Sequence, residues 1–234
     1  MVTPDRTLGV LGGMGPAAGA EFLRLFTIRW PARLDQDHPR VILLSDPRIP
    51  DRSAALIGGG TDPGPAIRNG LEFLVRWQVD LIAIPCNTAF AFIDRIAAQL
   101  PVPIVDTIGV SVEAARRLAP EGAWLLATQG TLAAGLYQQR AQRQAYPLLL
   151  PEPQAQAAVL QAIAAVKAGR LPEAAEHLRA AIDRLPDGGP SVVLLACSEL
   201  SLAWRFTDRP GQAVDSVDAL ADECVRRLPL TKRS

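Results

Sequence analysis

The feature that most constrains the fold of this chain is an internal repeat of three landmarks. In each half, an apolar strand leads into a glycine turn, a second apolar strand ends at a cysteine followed by polar residues, and a third short strand ends in an aspartate and a hydroxyl residue. The landmarks occupy residues 12–15, 86–88 and 106–107 in the first half and 128–130, 197–199 and 215–216 in the second. Because three landmarks recur in one order, we interpret the chain as two similar halves rather than as a chance likeness between apolar strands.

Short apolar runs alternate with longer helical patterns throughout the chain. Strands are predicted at 8–11, 41–44, 81–84, 104–105, 123–127 and 192–195, and helices at 17–27, 66–77, 90–99, 110–117, 154–168, 172–184 and 217–227. Continuously apolar strands alternating with helices are typical of parallel sheets covered on both faces. We therefore predict an α/β fold of two pseudo-symmetric lobes, each with a mostly parallel sheet flanked by helices, and an active site in the cleft between them. The first lobe would span 1–109 and the second 110–215; the pattern leaves open whether the C-terminal helix, 216–228, returns to the first.

Composition excludes several classes of function. The formal net charge is zero, so there is no basic field to attract nucleic acid or an anionic membrane. No apolar run approaches the roughly 18 residues of a membrane-spanning helix, and the first eight residues lack the pattern of a signal peptide. The three cysteines are too few for a disulfide scaffold and lack the spacing of a metal site. We expect a cytoplasmic protein that binds no metal.

Two of the cysteines, Cys86 and Cys197, follow apolar strands and precede polar residues and a helical pattern. Ligands of open α/β sheets bind beyond the carboxyl ends of the strands, so two facing lobes would oppose these thiols across one cleft. A thiolate and a thiol on opposite faces of an α-carbon can remove a proton and deliver another, because a thiol pKa of about 8.5 lets both forms be reached near neutrality. We predict that both are catalytic and that a nearby helix N-terminus favours the thiolate. Cys224 lies inside the last amphipathic helix, where core packing is the better interpretation.

The candidate substrate-binding residues lie near the cysteines, in the glycine turns, or in segments that carry the positive charge a carboxylate needs. They are Met14, Arg48, Arg52, Asn87, Thr88, Thr128, Thr131, Lys167, Ser198 and Glu199. The two arginines follow the second strand, where bidentate hydrogen bonds to a carboxylate are possible, although loop arginines are usually solvated. Lys167 is also explained by stabilisation of a helix C-terminus.

Cofactor-dependent chemistry is the weaker interpretation. The pattern Gly13-x-Gly15-x-x-Ala18 matches part of a dinucleotide fingerprint, but no acidic residue ends the second strand at the required spacing. Lys167 is the one plausible Schiff-base lysine, which counts against a pyridoxal enzyme. His38 and His177 show no partner spacing and are interpreted as surface residues. We therefore expect no cofactor.

Five sequence blocks resemble the aspartate/glutamate racemase family, and they run in the family's order along nearly the whole chain. They are Gly12-Gly13-Met14-Gly15-Pro16, Pro50-Asp51-Arg52, Pro85-Cys86-Asn87-Thr88-Ala89, Ala127-Thr128-x-Gly130-Thr131 and Ala196-Cys197-Ser198-Glu199-Leu200. The resemblance implies two pseudo-symmetric domains, one catalytic cysteine from each, and an amino-acid racemase that works without pyridoxal phosphate. It also implies a small amino-acid or carboxylate substrate, such as aspartate, glutamate or a related amino acid, and a homodimer.

The chain departs from the family at two positions. Phe90 stands where the family usually has histidine, which puts aspartate itself in doubt, and Ser198 replaces a threonine but keeps the hydroxyl. Two alternatives stay open: a lyase or isomerase of the same fold acting on a small carboxylic acid, and a catalytically silent ligand-binding protein. The first can work with one cysteine, so the presence of two favours racemisation; Phe90 is the feature that favours the second.

Overall fold

The computed structural model describes residues 6–208 and 213–230. The strands are β1 (Thr7–Gly12), β2 (Arg40–Ser45), β3 (Leu81–Ala83), β4 (Ala123–Ala127), β5 (Leu148–Leu149), β6 (Val193–Ala196) and β7 (Ala213–Asp215). The helices are α1 (Pro16–Arg29), α2 (Arg52–Ile57), α3 (Gly64–Arg76), α4 (Phe90–Ala97), α5 (Thr107–Leu118), α6 (Gln129–Ala133), α7 (Leu136–Arg143), α8 (Pro153–Lys167), α9 (Leu171–Ile182), α10 (Ser198–Trp204) and α11 (Ser216–Arg227).

The internal repeat of the sequence appears in the structure as two parallel sheets, one in each half of the chain. The first sheet has the strand order β2-β1-β3, and Ile104 continues it through a parallel bridge to Ile82. The second has the order β5-β4-β6-β7, with every pairing parallel. Each half therefore places the strand that leads to its cysteine directly beside the strand that leads into its glycine turn. The predicted two-lobed α/β fold with parallel sheets is confirmed.

Polar residues at the strand ends start the helices that follow. Asp106 accepts a hydrogen bond from the amide of Gly109 at 3.0 Å, and Asp215 accepts one from the amide of Val217 at 2.8 Å. Such side chains satisfy amides that a helix N-terminus leaves unpaired. The two aspartates of the repeat are thus equivalent helix caps, which explains why an aspartate recurs at this point of each half.

Several elements had no prediction from the sequence: α2, α6, α7, α10 and the two-residue strand β5. All are short, and helical periodicity is hard to detect over so few residues. The stretch 104–105 contributes a single bridge instead of a full strand.

The apolar cores do not stop at the boundary between the halves. One buried cluster combines Leu11 and Ile82 of the first sheet with Leu125 and Leu194 of the second. The C-terminal helix α11 packs against α1 and α5, and its apolar residues share a cluster with β1 of the first sheet. The division of the chain at residue 109 stays a prediction. Of the helices in the described ranges, none is long and apolar enough to cross a membrane.

Candidate active site

A small cavity lies where the strand ends and loops of the two halves meet. Its lining residues are Met14, Asp51, Arg52, Ser53, Cys86, Asn87, Thr88, Thr128, Lys167, Cys197, Ser198 and Glu199. The free volume is about 20 Å³, which is room for about one water molecule. This conformation is therefore closed, and an amino acid must displace side chains or part the lobes to reach the thiols.

Cys86 is buried beside the guanidinium group of Arg52. Burial raises the pKa of the Cys86 thiol, and the positive charge of Arg52 acts in the opposite direction. Arg52 itself is held by three backbone carbonyls, those of Met14, Ile49 and Pro50, at 3.0 to 3.2 Å. Among the described residues, its Nε has no hydrogen-bond partner. A buried N–H without a partner is costly, so it is available to a bound anion.

Cys197 faces a carboxylate instead of a cation. It is the N-cap residue of α10, and its Sγ donates a hydrogen bond to Oε2 of Glu199 at 3.1 Å. Burial and the negative charge of Glu199 raise the pKa of Cys197 well above the usual value of a thiol. The expected stabilisation of thiolate by helix N-termini is outweighed by burial at both cysteines. The two halves thus supply similar buried thiols with different neighbours: Arg52 opposes the rise in pKa at Cys86, whereas Glu199 adds to it most strongly at Cys197.

Three hydroxyl groups join the halves beside the cavity. Thr88 and Thr128 line it, whereas Thr131, which the sequence predicted as a substrate ligand, is fully buried and is not among the lining residues. Thr88 Oγ1 lies 2.9 Å from Thr128 Oγ1 and 2.9 Å from Thr131 Oγ1, and the latter two lie 3.0 Å apart. Thr128 also accepts a hydrogen bond from the amide of Thr131 as the N-cap of α6. These groups can donate hydrogen bonds to an anion once they reorient.

The remaining cavity residues are placed as follows. Ser198 donates a hydrogen bond to Glu199 Oε2 at 3.3 Å. Lys167, about half exposed, has its Nζ 3.7 Å from Oδ2 of Asp51, so an ion pair links α8 to the loop before α2 at the edge of the cavity. Asp51 also caps α2. Within the described ranges, no group of His, Cys, Asp or Glu side chains is arranged to hold a metal ion.

The structure does not bring Arg48 into this site. Its side chain is 88% exposed and forms a bidentate ion pair with Asp46, two residues away. The physical reason is local: the loop after β2 turns Arg48 outward to its nearest carboxylate. Of the two arginines proposed as carboxylate ligands, Arg52 alone lines the cavity.

Sequence reasoning did not single out four polar residues in or near the site. Asp51 and Ser53 line the cavity, and Tyr137 and Ser216 hydrogen-bond the side chain of Asn87. Asp51 lies within a block already noticed, and Ser216 closes a landmark of the repeat. Ser53 and Tyr137 carry no sequence signal that we recognise.

Phe90, which departs from the family pattern, does not line the cavity between the cysteines. Its ring is buried and faces a separate small cavity with Ile108, Leu136 and Arg140. This position favours a packing role, not a role in selecting the substrate.

We therefore expect Phe90→His to leave the ranking of amino-acid substrates unchanged. The substitution should lower the free energy of unfolding, because a buried aromatic ring is exchanged for a smaller polar one. Steady-state kinetics on aspartate, glutamate and neutral amino acids, with a thermal melt, measures both. A shift of preference toward acidic amino acids would contradict the packing role and return Phe90 to the site.

The fold and the site together define a class: a two-lobed α/β protein with a buried cysteine from each lobe in one cavity. The comparison with protein families agrees with that class, since the family described as Asp/Glu/Hydantoin racemase matches residues 11–224. The chain belongs to this family, and it is a racemase of the Asp/Glu type.

Known proteins similar to this chain include one curated sequence and several solved structures. The broad specificity amino-acid racemase RacX of Bacillus subtilis is 26% identical over 228 residues, which cover 93% of this chain and 96% of RacX. An aspartate racemase from Picrophilus torridus is 27% identical, with a TM-score of 0.85 and coverage of 98% and 96% of the two chains. Glutamate racemase from Campylobacter jejuni, at 22% identity, has a TM-score of 0.67 over 94% of this chain and 85% of its own, which shows the fold alone.

Proposed function

We propose that this protein is a cofactor-independent amino-acid racemase that inverts the α-carbon with Cys86 and Cys197 as opposed acid and base. The observation that carries the proposal is the burial of both thiols in one cavity between the lobes, one beside a cation and the other hydrogen-bonded to a carboxylate. A lyase that needs a single cysteine gives no reason for this second, equally buried thiol.

The different surroundings of Cys86 and Cys197 decide which of the two thiols ionises first. Burial raises the pKa of both thiols, but Arg52 opposes this effect at Cys86 and Glu199 adds to it at Cys197. Cys86 therefore ionises before Cys197, and the pair that starts the reaction is a Cys86 thiolate facing a Cys197 thiol. The thiolate takes the α-proton, the electron pair of the broken C–H bond passes into the substrate carboxylate, and Cys197 gives its proton to the opposite face. The reverse direction starts from the opposite protonation state.

The substrate we propose is aspartate, glutamate or a related amino acid. The hydroxyls of Thr88 and Thr128, the amide of Asn87 and the unpartnered Nε of Arg52 supply donors for carboxylates. The names of the relatives point the same way, because one is an aspartate racemase and the other a broad specificity amino-acid racemase.

The decisive experiment incubates the protein with a panel of L- and D-amino acids in deuterated water. Loss of the α-proton signal in NMR, together with appearance of the opposite enantiomer on chiral chromatography, supports racemisation. Formation of a new product without the opposite enantiomer would support the lyase or isomerase, and binding without exchange would support the silent binding protein. Activity without added pyridoxal phosphate and in the presence of a chelator tests independence from cofactors.

We also propose, from the resemblance to the family, a homodimer in the cytoplasm. Light scattering coupled to size-exclusion chromatography measures the first, and fractionation of the source cells measures the second.

The pH dependence of Glu199→Gln tests the assigned protonation states. Activity requires one thiolate and one thiol, so kcat/KM should follow a bell-shaped curve against pH. Removing the negative charge of Glu199 makes a thiolate at Cys197 less costly, which lowers the pKa of Cys197. The alkaline limb, where the second proton is lost, should therefore move to lower pH. The acid limb, set mainly by Cys86, should move in the same direction but less, because the charge of Glu199 also raises the pKa of Cys86 while its hydrogen bond acts on Cys197 alone.

Both directions should show the same shift in kcat/KM, because the equilibrium constant between enantiomers is one. An alkaline limb that stays in place, or that moves to higher pH, would contradict the assignment of Glu199 to Cys197. Glu223→Gln, which removes a carboxylate of α11 outside the cavity, serves as the matched control and should leave the curve as in the wild type.

A further inference from the structure

Tyr137 is a fully buried tyrosine of α7 that hydrogen-bonds across the boundary between the halves. Its hydroxyl donates to Oδ1 of Asn87, in the loop after β3, at 2.5 Å. Asn87 follows directly after Cys86 and lines the cavity. The second lobe thus contacts a polar side chain of the first lobe at the residue next to a proposed catalytic thiol.

The amide of Asn87 is held at both of its ends. Oδ1 accepts from Tyr137, while Nδ2 donates to Oγ of Ser216 at 3.0 Å. A separation of 2.5 Å fits an O–H···O hydrogen bond and 3.0 Å fits N–H···O, so the two distances fix which way the amide points. An amide nitrogen carries two protons, so Nδ2 of Asn87, which lines the cavity, can donate a second hydrogen bond to a ligand.

The phenol of Tyr137 is suited to act as a permanent donor. Burial raises its pKa far above the ordinary value for tyrosine, which keeps it protonated. Ser111, which also faces the phenol, uses its own proton on the carbonyl oxygen of Thr107 at 2.6 Å. The hydroxyl of Tyr137 therefore has a defined task, which is to hold the oxygen of Asn87 away from an incoming anion.

We propose that Tyr137 is a positioning residue that acts through Asn87. It orients the amide so that the remaining N–H, and not the repelling Oδ1, meets the substrate carboxylate. Tyr137 belongs to the second half of the chain and Asn87 to the first, so the orientation depends on a contact between the halves. The inference rests on the proposed function, since it assumes that a carboxylate binds beside Asn87.

The test compares the wild type with Tyr137→Phe, Asn87→Ala and the double variant. Loss of one net hydrogen bond corresponds to about a two- to tenfold fall in kcat/KM, and we expect such a fall for Tyr137→Phe. In the Asn87→Ala background the same substitution should change kcat/KM by less than about twofold, because there is no amide left to orient.

The matched control is Tyr146→Phe, which removes the hydroxyl of the chain's other tyrosine. That hydroxyl is buried and has no hydrogen-bond partner among the described residues, so its loss should not change kcat/KM.

The outcomes separate this inference from the proposed function. An equal loss from Tyr137→Phe in both backgrounds would mean a merely structural role and would overturn the inference, as would a Tyr137→Phe enzyme with wild-type kcat/KM. Thermal melts of all variants check that the proteins are folded. If the wild type binds aspartate without racemising it, the proposed function fails. The wild type, the two single variants and the double variant are then compared by their dissociation constants for aspartate, measured by calorimetry. A wild type that neither binds nor converts any amino acid of the panel overturns both.

Discussion

Replacing either Cys86 or Cys197 by alanine should abolish racemisation, with a loss of several orders of magnitude in kcat. Inversion requires one group to take a proton and another to give one on the opposite face, so a single remaining thiol cannot complete it. The surviving thiolate can still remove and return a proton on its own face. Each single variant should therefore exchange the α-proton of one enantiomer with deuterated water, and the two variants should prefer opposite enantiomers.

The losses should not be additive, because the two thiols act as a unit and the second deletion removes little once the first is gone. Cys224→Ala is the matched control: Cys224 is fully buried in α11, among apolar residues of the first lobe. It should lower the free energy of unfolding slightly and leave kcat unchanged. Full racemase activity in either single variant would refute the two-base mechanism. An equal loss in a folded Cys224→Ala protein would mean that the wrong pair was chosen.

The repeat made most of the architecture predictable from sequence. Continuously apolar strands that end in a glycine turn, a cysteine or an aspartate mark the carboxyl ends of parallel strands, and such ends meet at one edge of a sheet. Because the two halves are alike, we could also predict that these two sheet edges face each other across one cleft. This reasoning anticipated the strand ends at Cys86 and Cys197, together with the polar residues that follow each of them in the chain.

Side-chain direction was less predictable, because tertiary contacts of distant residues decide it. Arg48 and Arg52 lie four residues apart in one segment. Arg52 alone belongs to a block that resembles the family, but no local physical pattern distinguishes the two. The structure turns Arg48 to its local partner Asp46 and directs Arg52 inward to the carbonyl oxygen of Met14, 38 residues away. Tyr137 meets Asn87 from 50 residues away, across the lobe boundary, and no local pattern encodes that contact.

Phe90 shows a second limit of sequence reasoning. Because it replaces the family's usual histidine, it raised doubt about aspartate as the substrate. As the first residue of α4, however, it is buried with Ile108 and Leu136 in a separate cavity. The amide of Phe90 donates a hydrogen bond to the carbonyl oxygen of Asn87 at 3.1 Å, but its ring packs in the core and does not line the cavity between the cysteines.

Replacing Arg52 by methionine is the second change for which we expect a large effect. It removes a charge-assisted hydrogen bond to the substrate, and such bonds contribute about 1.5–3 kcal/mol, which corresponds to a fall of roughly tenfold to over a hundredfold in kcat/KM. It also removes the positive charge that lowers the pKa of Cys86. The Cys86 thiolate then forms only at higher pH, so the acid limb of the kcat/KM profile should move to higher pH.

The control for this change lies in the same loop. Arg48→Met removes an exposed guanidinium that pairs with Asp46, and it should leave both kcat/KM and its pH profile as in the wild type. Arg52→Lys separates charge from shape: it keeps the cation beside Cys86, so the acid limb should stay near its wild-type position, but it cannot hold the carbonyls of Met14, Ile49 and Pro50 in the same geometry. If Arg52→Met loses activity with an unmoved acid limb, the residue binds substrate without tuning the thiol. If Arg48→Met loses as much as Arg52→Met in folded protein, the carboxylate ligand has been placed on the wrong arginine.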